Sequence, residues 1–254
     1  MKSILGIWPV IAAGAVIFGT WESALAIFTP DGFVLPPPSA IVASFFENFD
    51  AIWIATKVTG FIVITGLLAG VFLAVLAALL VTRFRLGNET ITPLAVAVNA
   101  IPIVALAPIF NIWFGLLSPR SNQAIVLALV FFPIFINTTR GLSNVEPNQI
   151  ELMRSYAATE WTITRKVRVP NALPYFFTGL ELATSLAVIA AIVAEYFGGR
   201  QDALGNLITG SAALAQYDDA WSAVVAGTLI GLMLFAVVQI IQLAHPSIKG
   251  RRDT

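Results

Sequence analysis

The sequence predicts an all-α membrane protein that crosses the bilayer several times. The chain has 254 residues, of which 58% are hydrophobic and 11% are charged, and its mean hydropathy is +0.87. A soluble domain usually carries about 25% charged residues. Apolar runs of about 20 residues, the length that a helix needs to cross a bilayer, recur along the chain. We therefore predict one transmembrane domain over residues 1–254 with about six membrane-spanning helices.

Composition also excludes several kinds of function. The 14 basic and 14 acidic residues balance, which gives no reason to expect nucleic acid as a partner. The sequence has no cysteine, so disulfides, thiol catalysis and thiolate metal ligands are excluded, and no metal site is expected. The single histidine, His245, lies before Pro246 and is interpreted as a helix-end residue. The sequence has no Gly-Lys dipeptide and hence no G-x-x-x-x-G-K-[ST] phosphate loop.

The first predicted span covers residues 4–28, which are apolar except for Glu22. A signal peptide has a shorter apolar core, so we interpret this run as a retained span. Residues 29–38 (TPDGFVLPPP) form a turn-rich break. Ser39 is then predicted to cap a short helix at the membrane surface.

The second predicted span, residues 56–82, contains a possible helix-packing motif. Gly66 and Gly70 have the GxxxG spacing, which allows two helix backbones to approach closely. Two glycines without any packing role are the alternative.

The third predicted span, residues 92–117, is expected to be kinked or broken. It contains Asn99, Pro102 and Pro108, and proline removes a helical hydrogen bond. A break at membrane depth is tolerated only where protein or a water-filled cavity surrounds it. We therefore expect residues 99–108 to line a translocation path. The alternative is that proline is simply commoner in membrane helices.

Polar residues within the later spans are further candidates for the path. These spans are predicted at residues 122–139, 173–197 and 221–244. Asn137 lies in the first of them, and Glu181 and Glu195 lie in the second. Charged groups at membrane depth are costly and often functional. Contact with a partner helix is the alternative for Glu181, and contact with water at the span end is the alternative for Glu195.

The longest markedly polar interval, residues 143–174, separates two predicted spans. It holds seven of the 28 charged residues (14 basic plus 14 acidic), namely Glu146, Glu151, Arg154, Glu160, Arg165, Lys166 and Arg168. Pro147 suits the first turn of a helix, and Thr159 is predicted to cap a second short helix. Tyr156 and Trp161 argue against the alternative of a solvated loop. Two short helices joined by a bend are typical of a segment that meets something outside the membrane.

Lysine and arginine counts orient the chain, because these residues accumulate on the cytoplasmic side. Six spans place both termini, the 83–91 loop and the polar interval on one side. That side holds 11 of the 14 basic residues, and the other side holds Lys57, Arg120 and Arg200. Both termini and the polar interval are therefore predicted to be cytoplasmic, with the 29–55 and 198–220 loops outside.

The polar interval resembles the EAA loop of the inner-membrane permeases of ABC importers. That pattern is E-A-A, three residues, G, about nine residues, I, one residue and L-P, and it is similar to the run from Glu151 to Ala158 with Val167, Val169 and Pro170. The segments LPPPSAIVASF, NAIPIVALAPIFNIWFG and NALPYFFTGLELA resemble the branch that imports sulfonates, taurine, nitrate, and thiamine-pyrimidine or riboflavin-like compounds.

The main departures from this pattern lie in its first part. Leu152 and Met153 stand where the family has two alanines, and Ala157 stands where it has glycine. Glycine adopts a positive φ freely, whereas alanine is strained there by about 1–2 kcal/mol. We therefore expect a right-handed bend at Ala157.

The resemblance implies a type I ABC importer permease fold with a cytoplasmic coupling loop at residues 141–171. The residues that would contact the ATP-binding subunit are Glu151, Arg154, Ala157, Ala158, Thr159, Trp161, Val167 and Pro170. The implied partners are that subunit, a second permease copy (identical or related), an extracytoplasmic solute-binding protein and membrane lipid. This chain would bind no cofactor, and ATP and Mg would lie on the partner ATPase.

The sequence argues against two other classes of protein. A secondary transporter or channel without an ATPase would show paired intramembrane charges and matching halves, and no clear repeat is visible. A membrane enzyme would need clustered His, Asp or Ser residues. Among solutes, the aromatic residues of 109–114 with Tyr196 and Phe197 favour a pyrimidine- or riboflavin-like compound over sulfonate, taurine or nitrate, although interfacial aromatic belts are their ordinary explanation.

Overall fold

The computed structural model of the chain describes residues 8–28 and 34–244, apart from the side chains at 10, 28 and 85–89. The elements of this part are all helical, which confirms the predicted fold class. They are α1 (Trp8–Phe28), α2 (Pro38–Glu47), α3 (Phe49–Arg83), α4 (Arg85–Val98), a 3-10 helix (Ile103–Leu106), α5 (Ala107–Phe114), α6 (Pro119–Ser143), α7 (Pro147–Ser155), α8 (Glu160–Ile163), a π-helix (Thr164–Arg168), α9 (Val169–Phe197), α10 (Leu204–Ala213) and α11 (Tyr217–Ala244). The start of the first predicted span, residues 29–33 of the turn-rich break, His245 and the basic tail lie outside the described residues.

Four helical segments of the described part are long and apolar enough to cross a membrane: Phe49–Arg83, Pro119–Ser143, Glu160–Phe197 and Tyr217–Ala244. The bent pair Thr90–Val98 and Ile103–Phe114 can form a fifth span. The difference from the six predicted spans lies in α1, whose apolar stretch, Ile11–Ile27, is shorter than the ~20 residues of a typical crossing.

The predicted break in the third span is present. The two halves of the bent pair are inclined by 70° to each other. Asn99 follows the last residue of α4, Pro102 precedes the 3-10 helix, and Pro108 lies in the first turn of α5. Each proline therefore stands where a helix begins, because it cannot donate the hydrogen bond that would continue one.

The centre of the bundle consists of α3, α6 and α9, with α6 packed against both neighbours. The close approach of α3 to α6 depends on two glycines of α3. A Cβ atom at Gly66 would lie 2.7 Å from the Cβ of Val126, and one at Gly70 would lie 3.1 Å from the carbonyl oxygen of Leu127. Both glycines of the GxxxG pair therefore face α6 within the same chain.

The start of α2 differs from the prediction. Pro37 and not Ser39 occupies the N-cap position, and Pro38 begins the helix, where its missing N–H is not needed. The carboxylate of Glu22 in α1 accepts hydrogen bonds from the Ser39 amide at 3.1 Å and from its hydroxyl at 2.6 Å. The predicted cap was wrong because a carboxylate from the preceding helix supplies the acceptor.

Candidate functional site

The polar interval forms two short helices, as the sequence predicts. Pro147 is the first residue of α7. The hydroxyl of Thr159 caps α8 and accepts a hydrogen bond from the amide of Thr162 at 3.3 Å. Beyond α8 the π-helix leads directly into α9, so residues Glu160–Phe197 form one continuous helical segment. The helix pair is thus attached to a membrane span without an intervening loop.

The bend between α7 and α8 is left-handed, which contradicts the expected right-handed bend. Ala157 has a φ of 53°. The amide of Ala157 donates to the carbonyl of Arg154 at 2.9 Å, and the amide of Ala158 donates to that of Met153 at 3.0 Å. These two bonds form a Schellman motif, which satisfies carbonyl groups at the end of α7. The hydrogen bonds and the anchoring of both helices offset the strain of an alanine in this conformation.

The α7–α8 surface, defined here by Leu152, Tyr156 and Trp161, exposes large side chains. Tyr156 is 77% exposed and Trp161 is 72% exposed, and α7 has no buried residue. The guanidinium of Arg154 lies 2.9 Å from the carboxylate of Glu160, which ties α7 to α8. Exposed apolar groups rimmed by charges mark interaction sites. This surface is therefore a candidate for binding another protein.

The residues predicted to contact a partner lie together at this end of the bundle. Glu151, Arg154, Ala157, Thr159, Trp161 and Pro170 are exposed, and Ala158 and Val167 are half-buried. The structure brings all eight into one continuous segment, from α7 to the first turn of α9.

The six predicted path residues are not gathered at one point. Asn99, Pro102 and Pro108 are exposed around the break between α4 and α5. The side-chain amide of Asn137 donates to the backbone carbonyl of Pro133 at 2.8 Å. The carboxylate of Glu181 accepts a hydrogen bond from the side chain of Gln239 on α11 at 2.8 Å. A role of these residues in the path stays a prediction.

Glu195, the sixth of them, belongs to a buried polar cluster formed by Thr59, Asn111, Ser121, Asn122 and Glu195. All five residues are buried, and Glu195 is 0% exposed. The cluster surrounds the end of α9 that is remote from α7 and α8. Glu195 therefore does not reach water at the end of its span, which was one of its predicted roles.

A groove with a volume of about 420 Å³ runs between α9, α10 and α11. Its walls are mostly apolar, with Ile192, Ile208 and Phe235 among them, and Ser185, Tyr196 and Thr228 contribute polar groups. The sequence reasoning missed it because apolar groove residues resemble lipid-facing ones. A usable signal was the GxxxG spacing of Gly227 and Gly231 on α11, both of which line the groove.

A second pocket, of about 530 Å³, lies near the start of the polar interval. It is lined by Thr92, Pro93, Thr139, Arg140, Ser143, Asn144 and Tyr175. None of the six predicted path residues lines this pocket or the groove.

A bundle of apolar helices with one broken span and an exposed polar helix pair defines a polytopic membrane domain. Residues 66–246 match the family described as "Binding-protein-dependent transport system inner membrane component". The match spans most of the chain, and the chain belongs to this family.

Relatives with assigned names support the same class. The chain is 29% identical to a probable ABC transporter permease protein of Haemophilus influenzae, over 89% of this chain and 91% of the relative. It is 37% identical to the formylaminopyrimidine transport permease protein ThiX of Halalkalibacterium halodurans, over 71% and 72%. It is 27% identical to the riboflavin transport system permease protein RibX of Chloroflexus aurantiacus, over 92% and 89%.

The chain is therefore a multi-pass inner-membrane permease subunit of an ABC transporter. It is a transport subunit and not an enzyme, and ATP is hydrolysed on a separate subunit. Its family membership implies two partners, an ATP-binding subunit and a solute-binding protein. This membership also removes the alternatives of an ATPase-independent carrier and a membrane enzyme.

Proposed function

We propose that this permease imports a small organic solute and receives mechanical work from its ATP-binding subunit through the α7–α8 surface. The observation that carries the proposal is the exposure of Tyr156 and Trp161 on a helix pair that continues directly into α9. Aromatic side chains that fill a partner's pocket dominate many protein interfaces. ATP and Mg would stay on the partner, and this chain would bind no cofactor.

The physical connection is the segment Glu160–Phe197. A displacement of α8 acts on α9 without a flexible joint, because the π-helix Thr164–Arg168 joins them. The Arg154–Glu160 pair and the Schellman motif at Ala157 hold α7 to α8. ATP-driven closure of two ATPases would therefore tilt α9 against α3 and α6.

We further propose that α1, a helix of 21 residues, crosses the membrane as a sixth span. The α7–α8 surface and both termini would then be cytoplasmic, as the distribution of lysine and arginine supports. Two permease copies, identical or related, would then enclose the translocation path, with lipid around them. Their outer surfaces, which include α2 and α10, would receive the solute-binding protein. Asn99, Pro102, Pro108, Asn137 and Glu181 are the candidates of this chain for the path.

For the solute, we propose a flat heterocycle of the pyrimidine or riboflavin kind. Two of the relatives are named for the transport of formylaminopyrimidine and riboflavin, whereas others are named for aliphatic sulfonates, bicarbonate or nitrate. The groove along α9 has an apolar wall with Tyr196, and no charged residue is among its described lining. Binding of pyrimidines, flavins and alkyl sulfonates to the cognate solute-binding protein tests this choice, and a preference for sulfonates would overturn it.

The coupling role is tested with Glu151→Lys and with deletion of residues 159–168. Each variant should enter the membrane normally but lose ATP-dependent solute uptake in proteoliposomes. Asn148→Ala, at an exposed position of α7, is the matched control. Normal uptake by the deletion variant would refute the docking role of the helix pair.

A further inference from the structure

Glu195 is a buried carboxylate with no cation beside it among the described residues. Burial of a charge in an apolar bundle is costly unless hydrogen bonds compensate it. The hydroxyl of Thr59, on α3, lies 2.9 and 3.1 Å from the two carboxylate oxygens of Glu195. The amide of Gly205, on α10, donates to the same carboxylate at 2.8 Å. The carboxylate is therefore engaged within the chain and is not open to a solute.

Thr59 and Glu195 together hold the first turn of α10. The hydroxyl oxygen of Thr59 accepts a hydrogen bond from the amide of Leu204 at 3.0 Å, while the next amide, that of Gly205, bonds to Glu195. The first amides of a helix have no partner within the helix. Here α3 and α9 supply both acceptors, so three elements meet at one pair of side chains.

The packing around this contact leaves no room for adjustment. A Cβ atom at Gly205 would lie 2.5 Å from the Cβ of Glu195 and 2.5 Å from the carbonyl oxygen of Ile192. Only glycine allows α10 to approach α9 this closely. The position of α10 is therefore fixed by the end of α9 both through hydrogen bonds and through backbone contact.

The rest of the buried polar cluster holds the same end of α9 to other elements. The amide side chain of Asn111, on α5, donates to the carbonyl of Phe197 at 3.0 Å, and that of Asn122, on α6, donates to the carbonyl of Gly198 at 3.3 Å. The hydroxyl of Ser121 donates to Asn111 at 2.5 Å. A movement of α9 at this end must therefore be shared with its neighbours.

We propose that Glu195 and Thr59 are positioning residues that fasten α10 to the remote end of α9, so that α10 moves with α9 when the α7–α8 surface is displaced. The inference rests on the proposed coupling function of that surface. Because Ile208 of α10 lines the groove between α9 and α11, the fastening also carries this movement to one wall of the groove. Loss of the Thr59 hydroxyl would leave the Leu204 amide without its acceptor and Glu195 without its donor. The helix α10 would then stay folded but would follow α9 less closely, because only the bond from Gly205 would remain.

The assembled complex in proteoliposomes provides the test. Thr59→Val removes the hydroxyl at nearly constant volume, and Thr59→Ser keeps it as the matched control. We expect Thr59→Val to retain the basal ATPase rate. The factor by which loaded solute-binding protein raises that rate should fall about fivefold or more, which is a typical size for coupling between two sites. Full stimulation in Thr59→Val would overturn the proposal.

A distance measurement supplies a second readout that does not depend on the assembly of Thr59→Val. The chain has no cysteine, so Leu182→Cys on α9 and Gly210→Cys on α10, both exposed, can be spin-labelled without background. The label distance should be the same in nucleotide-free and ATP-trapped complexes, and Thr59→Val should broaden its distribution. If the label distance differs between the nucleotide-free and ATP-trapped complexes of the protein that retains Thr59, the proposal is overturned. Failure of the coupling function itself would appear differently, as an ATPase of the unsubstituted complex that ignores the solute-binding protein.

Discussion

The two ends of the Glu160–Phe197 segment carry polar groups in opposite ways. At one end, the side chains of Thr59, Asn111 and Glu195 are buried and hydrogen-bonded to other elements of the same chain. At the other end, Tyr156 and Trp161 are exposed, and the exposed charges of Arg154 and Glu160 pair across the bend. At the first end, these three side chains find their hydrogen-bond partners within one chain, whereas the second end presents groups that a partner can cover.

This difference indicates where the permease is rigid and where it binds. Buried, satisfied polar networks fix one arrangement of the elements that they join. Exposed aromatic groups contribute little to a single chain but much to an interface. Transmission of force through α9 needs both properties, a far end whose elements move as one unit and a surface on which force can act.

The largest effect is expected from a substitution that breaks the contact between the exposed end and the ATP-binding subunit. Trp161→Glu should weaken binding of the ATP-binding subunit by about 30-fold or more, because loss of an interface tryptophan typically costs about 2–4 kcal/mol. Co-purification and titration of the purified subunit measure this change. Phe46→Glu, at a comparably exposed aromatic residue on α2, is the control and should leave the affinity unchanged. Equal affinities for all three proteins would contradict the assignment.

The next effect tests the packing between the two ends. Gly70→Val should destabilise the chain by about 1–3 kcal/mol, because the added atoms meet Val130 and the backbone of Leu127 on α6. Thermal unfolding in detergent and the yield of folded protein report this loss. Gly60→Val, on the same helix but with nothing within 4 Å of a Cβ, should cost much less. Similar losses at both positions would show that close packing against α6 is not the cause.

A smaller effect concerns the bend. Ala157→Gly should stabilise the α7–α8 turn by about 0.5–1 kcal/mol, since relief of the left-handed strain exceeds the added entropy of glycine in the unfolded chain. Slower amide hydrogen exchange at residues 157 and 158 would report it. Ala158→Gly, one position later and with an ordinary φ, should have the opposite sign. Faster exchange in Ala157→Gly would contradict the strained bend.

The smallest expected effect is a pH dependence in the loop after α9. The guanidinium of Arg200 lies 2.6 Å from the carboxylate of Asp202, and this hydrogen bond lowers the pKa of Asp202 below its ordinary 3.8. A lowered folded-state pKa gives stability that is present above the unfolded value and is lost as the pH falls through the folded value. The Asp202→Asn protein should therefore be slightly less stable than the unsubstituted protein near neutral pH. The two proteins should be equally stable at strongly acid pH. Thermal unfolding across that range measures the difference, and a gap that widens towards acid pH would contradict the pairing.

Local patterns predicted much of the fold. The apolar runs, the prolines of residues 99–108 and the start of α7 at Pro147 each act through neighbouring residues, so the sequence alone shows them. The cap at Thr159 is local in the same sense. The sequence therefore predicted the helical class, the broken span and the paired helices.

Contacts between distant residues could not be predicted in this way. Glu195 meets Thr59, which is 136 positions earlier, and Ser39 meets Glu22 of another helix. Ala157 has a positive φ although alanine prefers a negative one. Two backbone hydrogen bonds of the Schellman motif, and the helices on both sides, hold it in this conformation. Tertiary contacts outweighed local propensity at Glu195 and Ser39. At Ala157 the capping bonds at the end of α7 outweighed it.

The most direct test of the central claim is a cross-link between Ser155→Cys and the ATP-binding subunit. Ser155 is exposed on α7 beside Tyr156, and this substitution keeps Trp161 in place. Because the chain has no cysteine of its own, a thiol-reactive cross-linker on Ser155→Cys reports only the α7–α8 surface, and Phe46→Cys serves as the control. We expect the ATP-binding subunit to be captured through position 155, with a yield that changes on ATP binding, and not through position 46. Capture at position 46 alone, or at neither position in a complex that transports solute, would contradict the proposal that this helix pair receives the work of ATP hydrolysis.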